Sequence, residues 1–449
     1  MPTAAPAMGS EPAITRRAVT GWVLYDLANT IFSMGVISLV FPLWIRGEVG
    51  AERADSVYGV ITAISMGMIF VLSPMLGAMT DRARRRMPFL AVSTVVCVLL
   101  TMLLARTGFY LTAVLFVLAN AGYQAGLQFY DAMLPEVSTE KNRGRIGGIG
   151  VGIGYLGSYV AVGMSLRFGM EDKPFLFLLF GLSFLAFSLP CLFFVKERGN
   201  PRPRPINFST MRESMSDTLK TLRSGREYPG LLRFLVGRVF YTDAINTVIN
   251  IMVLYTVNVA MHSGLAEKKA ETRANFILMF AITFAIAGGF GWGWLTDRIG
   301  PKRTLNYVLR FWMAIFVGAA LVGLMGLPLW TMYMVGASAG FALGGVWAAD
   351  RPYMLRLTPP ARIGEFYGLY GMVGRFSAIT GPIIWAVGTS VAIHGFGFTP
   401  LAAQGSAVLV LLLLVITSYI ILQPVSDHAR HWNEPAGASG GKQDSPAHG

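Results

Sequence analysis

Along most of the chain, polar residues gather in short clusters between apolar runs. A helix needs about 20 predominantly apolar residues to cross a bilayer. Twelve such runs occur, near 20–45, 56–79, 88–105, 109–133, 146–167 and 174–195, then near 231–260, 273–296, 304–326, 327–350, 364–388 and 402–423. The pattern predicts an all-α membrane protein with twelve transmembrane helices. An even number of crossings puts both termini on one side.

Composition agrees with this reading, because 54% of the 449 residues are hydrophobic and only 14% charged, against about 25% charged in soluble domains. An ordinary soluble enzyme is excluded. The net charge of +13 raises the question of a nucleic-acid partner, which its distribution answers. With the N-terminus inside, 26 of the 37 Lys and Arg fall in inner loops and tails. These include Arg82 to Arg86, Lys141 to Arg145 and a dense set from Lys196 to Arg233. Eight fall outside, and Arg238, Arg310 and Arg375 lie within runs. The asymmetry predicts cytoplasmic termini, and charge spread over many short loops argues against nucleic acid. Arg16-Arg17 precedes a run of about 25 residues that carries Asp26 and lacks a cleavage site, so it reads as the first span rather than a signal peptide. Cys97 and Cys191 form no CxxC pair, and the five histidines make no ligand cluster, so neither a metal nor a cofactor is expected. Gly152-x-Gly154-x-x-Gly157 matches a dinucleotide fingerprint literally. It lies inside the fifth span rather than after a strand, where Gly148/Gly152 and Gly150/Gly154 suit close helix packing.

The chain divides into an N-terminal tail (1–18), a six-helix half (19–195), a linker (196–230) with a surface helix expected at 208–223, a second six-helix half (231–424), and a C-terminal tail (425–449) that reads as disordered. The halves repeat. Asp26, Asn29 and Thr30 in YDLANT return as Asp243, Asn246 and Thr247 in TDAINT, 217 residues on. Gly77…Asp81-Arg82 returns as Gly293…Asp297-Arg298, Arg145-Ile-Gly147 as Arg362-Ile-Gly364, and Gly154/Gly157 as Gly371/Gly374.

Gly77, Asp81, Arg82, Arg85 and Arg86 resemble the G-x-x-x-D-R-x-G-R-R loop between spans two and three of the major facilitator superfamily. Gly293, Asp297, Arg298, Gly300, Lys302 and Arg303 form its second copy. The first copy has Arg84 where the superfamily prefers glycine. Trp22-Val-Leu-Tyr-Asp-Leu-Ala-Asn29, Phe129-Tyr-Asp-Ala-Met-Leu-Pro-Glu136, Gly154-Tyr-Leu-Gly157 and Gly364-Glu-Phe-Tyr-Gly-Leu-Tyr370 resemble the vacuole-effluxer branch, relatives of an autophagy-linked vacuolar amino-acid exporter. Asp131 stands where that branch usually has Asn. The resemblance implies a transporter in which spans one, four, seven and ten line a central pathway.

Ionisable groups at bilayer depth face a cavity or a partner, since insertion costs about 2.5–3.5 kcal/mol each. Asp26, Asn29 and Ser33 share one helical face, as do Asp243, Asn246 and Asn250. The two faces would oppose each other across the pathway, binding solute or coupling ion, or would simply bond neighbouring helices. Asn120, Gln124, Gln128 and Asp131 make a stripe in span four, bordered by Tyr123 and Tyr130, and span ten adds Trp347 and Asp350. Arg375 sits near the midplane, cannot deprotonate, and needs an anion: Asp243, Asp26 or a carboxylate of the solute. In the loops, Asp81 and Asp297 can face helix N-termini of the opposite half, while Arg82, Arg85, Arg298 and Arg303 bind carbonyls and acids such as Glu136 and Glu365. These residues would gate the cytoplasmic side.

The expected function is secondary active transport of a small polar organic solute, an amino acid first, coupled to protons or to sodium, by a monomer in a bacterial inner membrane. A cation-coupled sugar symporter and a drug or metabolite efflux pump are the alternatives. A membrane-embedded lipid-modifying enzyme would need catalytic groups clustered at one interface, and no such cluster is found.

Overall fold

The computed structural model describes residues 14–200, 203, 228 and 230–427. The expected surface helix at 208–223 and the C-terminal tail beyond residue 427 lie outside them. Among the described residues the architecture is entirely helical. In hydrocarbon every backbone N–H and C=O must be bonded within its own segment, and the apolar runs meet that demand as helices. We label the long helices in chain order: α1 (Arg16–Val49), α2 (Ala51–Arg82), α3 (Met87–Met102), α4 (Phe109–Ala132), α5 (Arg143–Phe168), α6 (Lys173–Phe194), α7 (Leu231–His262), α8 (Glu267–Ile299), α9 (Pro301–Met325), α10 (Trp330–Leu357), α11 (Ile363–Ser390) and α12 (Pro400–Leu422). Ten are long and apolar enough to cross a membrane. The two other runs expected to cross correspond to α3 and α11.

Helix starts follow local chemistry. Thr15, Asp172 and Thr399 accept hydrogen bonds from the backbone N–H groups of Ala18, Phe175 and Ala402 at the starts of α1, α6 and α12, satisfying donors that have no partner within the helix. The two copies of the basic loop turn differently. Gly300 links α8 to α9 with φ of 90°, a left-handed conformation that favours glycine. Arg84 has no positive φ, so the first copy turns without the superfamily's glycine.

α1 packs on α5 and α6, and α7 on α11 and α12. Trp22 and Tyr25 of α1 stack on Tyr130 of α4 with ring centroids 4.5 and 5.2 Å away, and Trp22 Nε1 donates to the Tyr130 carbonyl at 3.3 Å. Aromatic pairs of this kind contribute about 0.5–1.5 kcal/mol beyond burial. The outward face carries exposed apolar side chains such as Val60, Val71, Tyr110, Leu166 and Phe193, as a lipid-facing surface does. Midway along α1, Phe32–Val40 is wound as π-helix, with Gly35 seated against the Phe180 ring.

Helices before the linker meet those after it along two seams, α2 against α11 and α5 against α8, with α5 also touching α10. Small residues make both seams, as is usual where lipid gives no hydrophobic drive for helix association. The fingerprint look-alike is part of one. Gly148 and Gly152 of α5 lie against Gly289 and Gly293 of α8, where a Cβ on Gly148 would stand 2.2 Å from the Gly289 carbonyl oxygen. Gly77 of α2 and Gly364 of α11 approach as closely in the other seam. Gly148→Leu is therefore expected to lower Tm in detergent, through a packing cost of about 2 kcal/mol or more. Gly163→Leu, on the same helix with open space around it, is the matched substitution and should leave Tm nearly unchanged.

Candidate functional site

At the end of the bundle that holds the basic loops, two carboxylates cross the seams. Asp81, at the end of α2, accepts from the backbone N–H of Gly364 and of Glu365, both at 2.7 Å, in the first turn of α11. Asp297, at the end of α8, accepts from Gly144 at 2.7 Å and Arg145 at 3.0 Å in the first turn of α5. Each carboxylate meets N–H groups that the helix cannot satisfy itself, at the positive end of the helix dipole. The sequence repeat is thus a pair of latches. Gly77 and Gly293 let the helix backbones come close enough for them to close.

The arginines divide differently from the expectation. Arg86 pairs with Asp81 at 2.8 Å, whereas Arg85 is exposed, as is Arg303. Glu136 takes hydrogen bonds from the backbone N and Nε of Arg198, and Glu365 pairs with Arg362. Arg298 lies 4.0 Å over the Trp294 ring, and Arg82 is half-buried. Glu197, beyond the end of α6, accepts from the backbone N–H of Arg86 and Met87. Burial pushes its carboxyl above the ordinary value, opposed by these hydrogen bonds.

Beyond the latches lies a cavity of about 470 Å³. Asp26, Asn29, Gln124, Gln128, Asp131, Asn246, Asn250, Trp347 and Arg375 all stand on its wall, so the structure brings together nine of the ten residues expected to face a solute. Ile249 and Asn250 on that wall are exposed. Asp243 is the exception. It receives a hydrogen bond from Thr380 Oγ1 at 2.7 Å and ties α7 to α11, while Asn246 donates to Ser377 at 3.0 Å. Asp26 and Asp243, equivalent in the repeat, do not oppose each other across the pathway.

Asp26 faces Arg351 instead. The apolar run ends at 350, yet α10 continues to Leu357 and carries Arg351 inward, buried to 8% exposure. Its Nε is 3.0 Å from Asp131 Oδ1 and its Nη1 is 3.7 Å from Asp26 Oδ2. This residue was missed because Asp350-Arg351-Pro352 reads as loop; the available signal was its position one turn beyond Trp347 on the same face. Its neighbour Asp350 pairs with Arg238 at 3.1 Å, and Arg238 also donates to the Tyr370 carbonyl and lies 3.5 Å over the Tyr370 ring. That cluster stays within α7, α10 and α11 and leaves neither charge alone, as burial requires.

Arg375 finds no such partner. Its Nη1 donates to Ser73 Oγ and its Nη2 to the Gln124 carbonyl, both at 2.7 Å, and among the described residues no carboxylate pairs with it. Ser73 Oγ, with one proton to give, lies within hydrogen-bond reach of the Gly368 carbonyl and of Gln128 Oε1, and the Ser73 carbonyl accepts from Gln128 Nε2. Gly371 makes the position possible, because a Cβ there would lie 2.4 Å from Arg375 Nη1. Among the described residues Arg375 Nε and both amide atoms of Asn29 are buried without hydrogen-bond partners, although buried polar groups are nearly always bonded. The cavity wall therefore holds an unneutralised guanidinium and an unused amide.

Residues 45–418 match the family described as "Vacuole effluxer Atg22 like". The chain belongs to the Atg22-like family. Over 435 residues it is 26% identical to the MFS-type transporter YxiO of Bacillus subtilis (strain 168), covering 92% of this chain and 97% of that one. It is 27% identical over 266 residues to autophagy-related protein 22-1 of Penicillium rubens, covering 54% and 43%. Among solved structures, a bacterial homologue of the iron transporter ferroportin in the outward-facing state aligns with TM-score 0.65 at 15% identity over 91% of this chain and 99% of that one. The human organic anion transporter MFSD10 aligns with TM-score 0.63 at 16% identity over 93% and 100%. The Atg22-like chain is an all-α multi-pass membrane transporter of the major facilitator fold, not an enzyme. A single motion that parts both latches predicts that Asp81→Ala or Asp297→Ala speeds hydrogen exchange about tenfold, the loss of about 1.4 kcal/mol of capping. The increase is expected at Gly364 and Glu365 and also at Gly144 and Arg145, and exchange confined to the altered latch would show that they act separately.

Proposed function

We propose that this protein is a secondary active transporter of a small polar organic solute carrying a carboxylate, an amino acid first, coupled to protons and working by alternating access. Arg375 carries the reading. A guanidinium at bilayer depth is retained despite its insertion cost, lines a cavity, and among the described residues donates hydrogen bonds to neutral acceptors alone. A carboxylate would fit it with two charge-assisted hydrogen bonds. Asn29, Gln124 and Trp347 supply amide and aromatic surface for the rest of a small solute. MFSD10, which shares the fold and is an organic anion transporter, supports an anionic group on the cargo. The bias of Lys and Arg toward one end of the bundle supports cytoplasmic termini and a cytoplasmic latched end, in a bacterial inner membrane.

One observation favours an organic anion without an amino group. Asp26 and Asp131 both face Arg351, so an ammonium group would have to compete with a guanidinium for either of them. Thermal shift of purified protein separates the readings, since a solute that binds the folded state raises Tm by mass action. Free amino acids, their N-acetyl and amide derivatives, simple monocarboxylates and sugars are the probes. Amino acids should stabilise the protein, and their amides should not. Stabilisation by N-acetyl derivatives and monocarboxylates alone would select the organic anion, and stabilisation by sugars alone would overturn both. Arg375→Gln should weaken binding of the stabilising carboxylate by about 10- to 100-fold, the worth of one charge-assisted contact.

A further inference from the structure

We propose that the coupling proton is carried by the carboxylate pair Asp26 and Asp131, and that Arg351 is its counter-ion only while the latched end is closed. Asp26 belongs to α1, Asp131 to α4 and Arg351 to α10, so this ion cluster crosses between the first six helices and the last six. Asp26 is also faced by Tyr123 and Tyr130 of α4 and Tyr155 of α5. Behind these stand Tyr25, Cys97 and Cys191. Asp131 is within reach of Arg238, Asp350, Tyr367, Tyr370 and Arg375. Every cation in that set stands on α7, α10 or α11. On the first six helices the described groups around the pair are phenols and thiols, with Arg143 of α5 behind Tyr367.

Opening the latched end therefore separates unlike charges. Arg351 leaves with the last six helices, and the two carboxylates stay behind without the cation that pairs with them. Like charges so close cannot both remain ionised in a dry site, so the pair takes up one proton from water on the side it faces and releases it on the other. Nothing is oxidised or reduced. The last six helices then carry Arg351 and Arg375, which complements an anionic solute, so that proton and solute move in the same direction. This proposal rests on alternating access but not on which solute is carried, so its test needs no solute.

The test is the distance between nitroxides at Lys141→Cys and Ala361→Cys, exposed positions at the latched end on either side of the interface. Cys97 and Cys191 are fully buried and stay unlabelled. In nanodiscs, lowering the pH from about 8 to about 5 should raise the separated population, by up to about tenfold per pH unit where one proton is taken up. Asp26→Asn and Asp131→Asn should each enlarge the separated population at high pH and flatten its pH response. The double substitution should abolish the response, and Asp131→Glu should restore it. Asp297→Ala should enlarge the separated population at every pH and keep the slope. An unmoved wild-type distribution, a full pH response in the double variant, or a response to sodium in place of pH would each overturn the proposal. Loss of carboxylate binding in the thermal-shift screen would instead remove Arg375 as the solute site and leave this proposal standing.

Discussion

A charge buried away from water must be neutralised or hydrogen-bonded, and this constraint organises the molecule more than any single packing contact. Hydrocarbon outside and a tight helix bundle inside leave few ways to satisfy an arginine or aspartate. Arg238 is satisfied wholly within the last six helices by Asp350 and Tyr370, and so serves as a fixed part of that half. Asp81 and Asp297 are satisfied by helix N-termini across the interface, and so depend on how the halves sit. Arg351 and Arg375 also reach across. What each buried charge touches thus says whether it belongs to a rigid body or to the joint between two.

The internal repeat supplies the frame, and departures from it supply the chemistry. Both latch carboxylates, Asp81 and Asp297, and the seam glycine four residues before each, Gly77 and Gly293, recur with an offset of 216 residues, because a two-fold related joint needs the same parts twice. The cavity is different. Asp26 lines it and faces Arg351, whereas its counterpart Asp243 is turned to Thr380. Gly154 makes room beside the Asp26 carboxylate, and its counterpart Gly371 makes room for Arg375. The same small-residue position thus accommodates an acid in one half and a base in the other.

Much of this was legible in the sequence because it is local or periodic. Apolar runs set the helices, and a fixed offset exposed the latches, whose acceptors are carboxylates at helix ends and whose donors are backbone amides that any helix start provides. The losses were of two kinds. A hydropathy window ends where charge begins, so α10 was cut at 350 and Arg351 was counted as loop, although a helix rich in partners continues to Leu357. Pairing between side chains on different helices depends on rotation about each axis, which no spacing within one segment reveals. Hence Arg86, Arg198 and Arg362, rather than Arg85 and Arg303, meet the acids at the latched end, and Asp243 turns to α11 rather than to the cavity.

The two bridging arginines give the halves opposite reasons to part. Arg375 reaches from α11 to Ser73 of α2 and to the Gln124 carbonyl of α4, both neutral acceptors in the first six helices. Both already bond a charged donor, but a carboxylate adds the attraction of an ion pair and can take the guanidinium in bidentate fashion, so a solute carboxylate would outcompete Ser73 and Gln124 for it. Its arrival would remove a tie across the interface while leaving the solute on the last six helices. Arg351 is held by two carboxylates, which no neutral solute group can displace, and only loss of charge on Asp26 or Asp131 weakens that tie. On the proposed reading, anion and proton each release one arginine, and neither alone frees the joint. Coupling would then follow from the number of ties, without any contact between the two ligands.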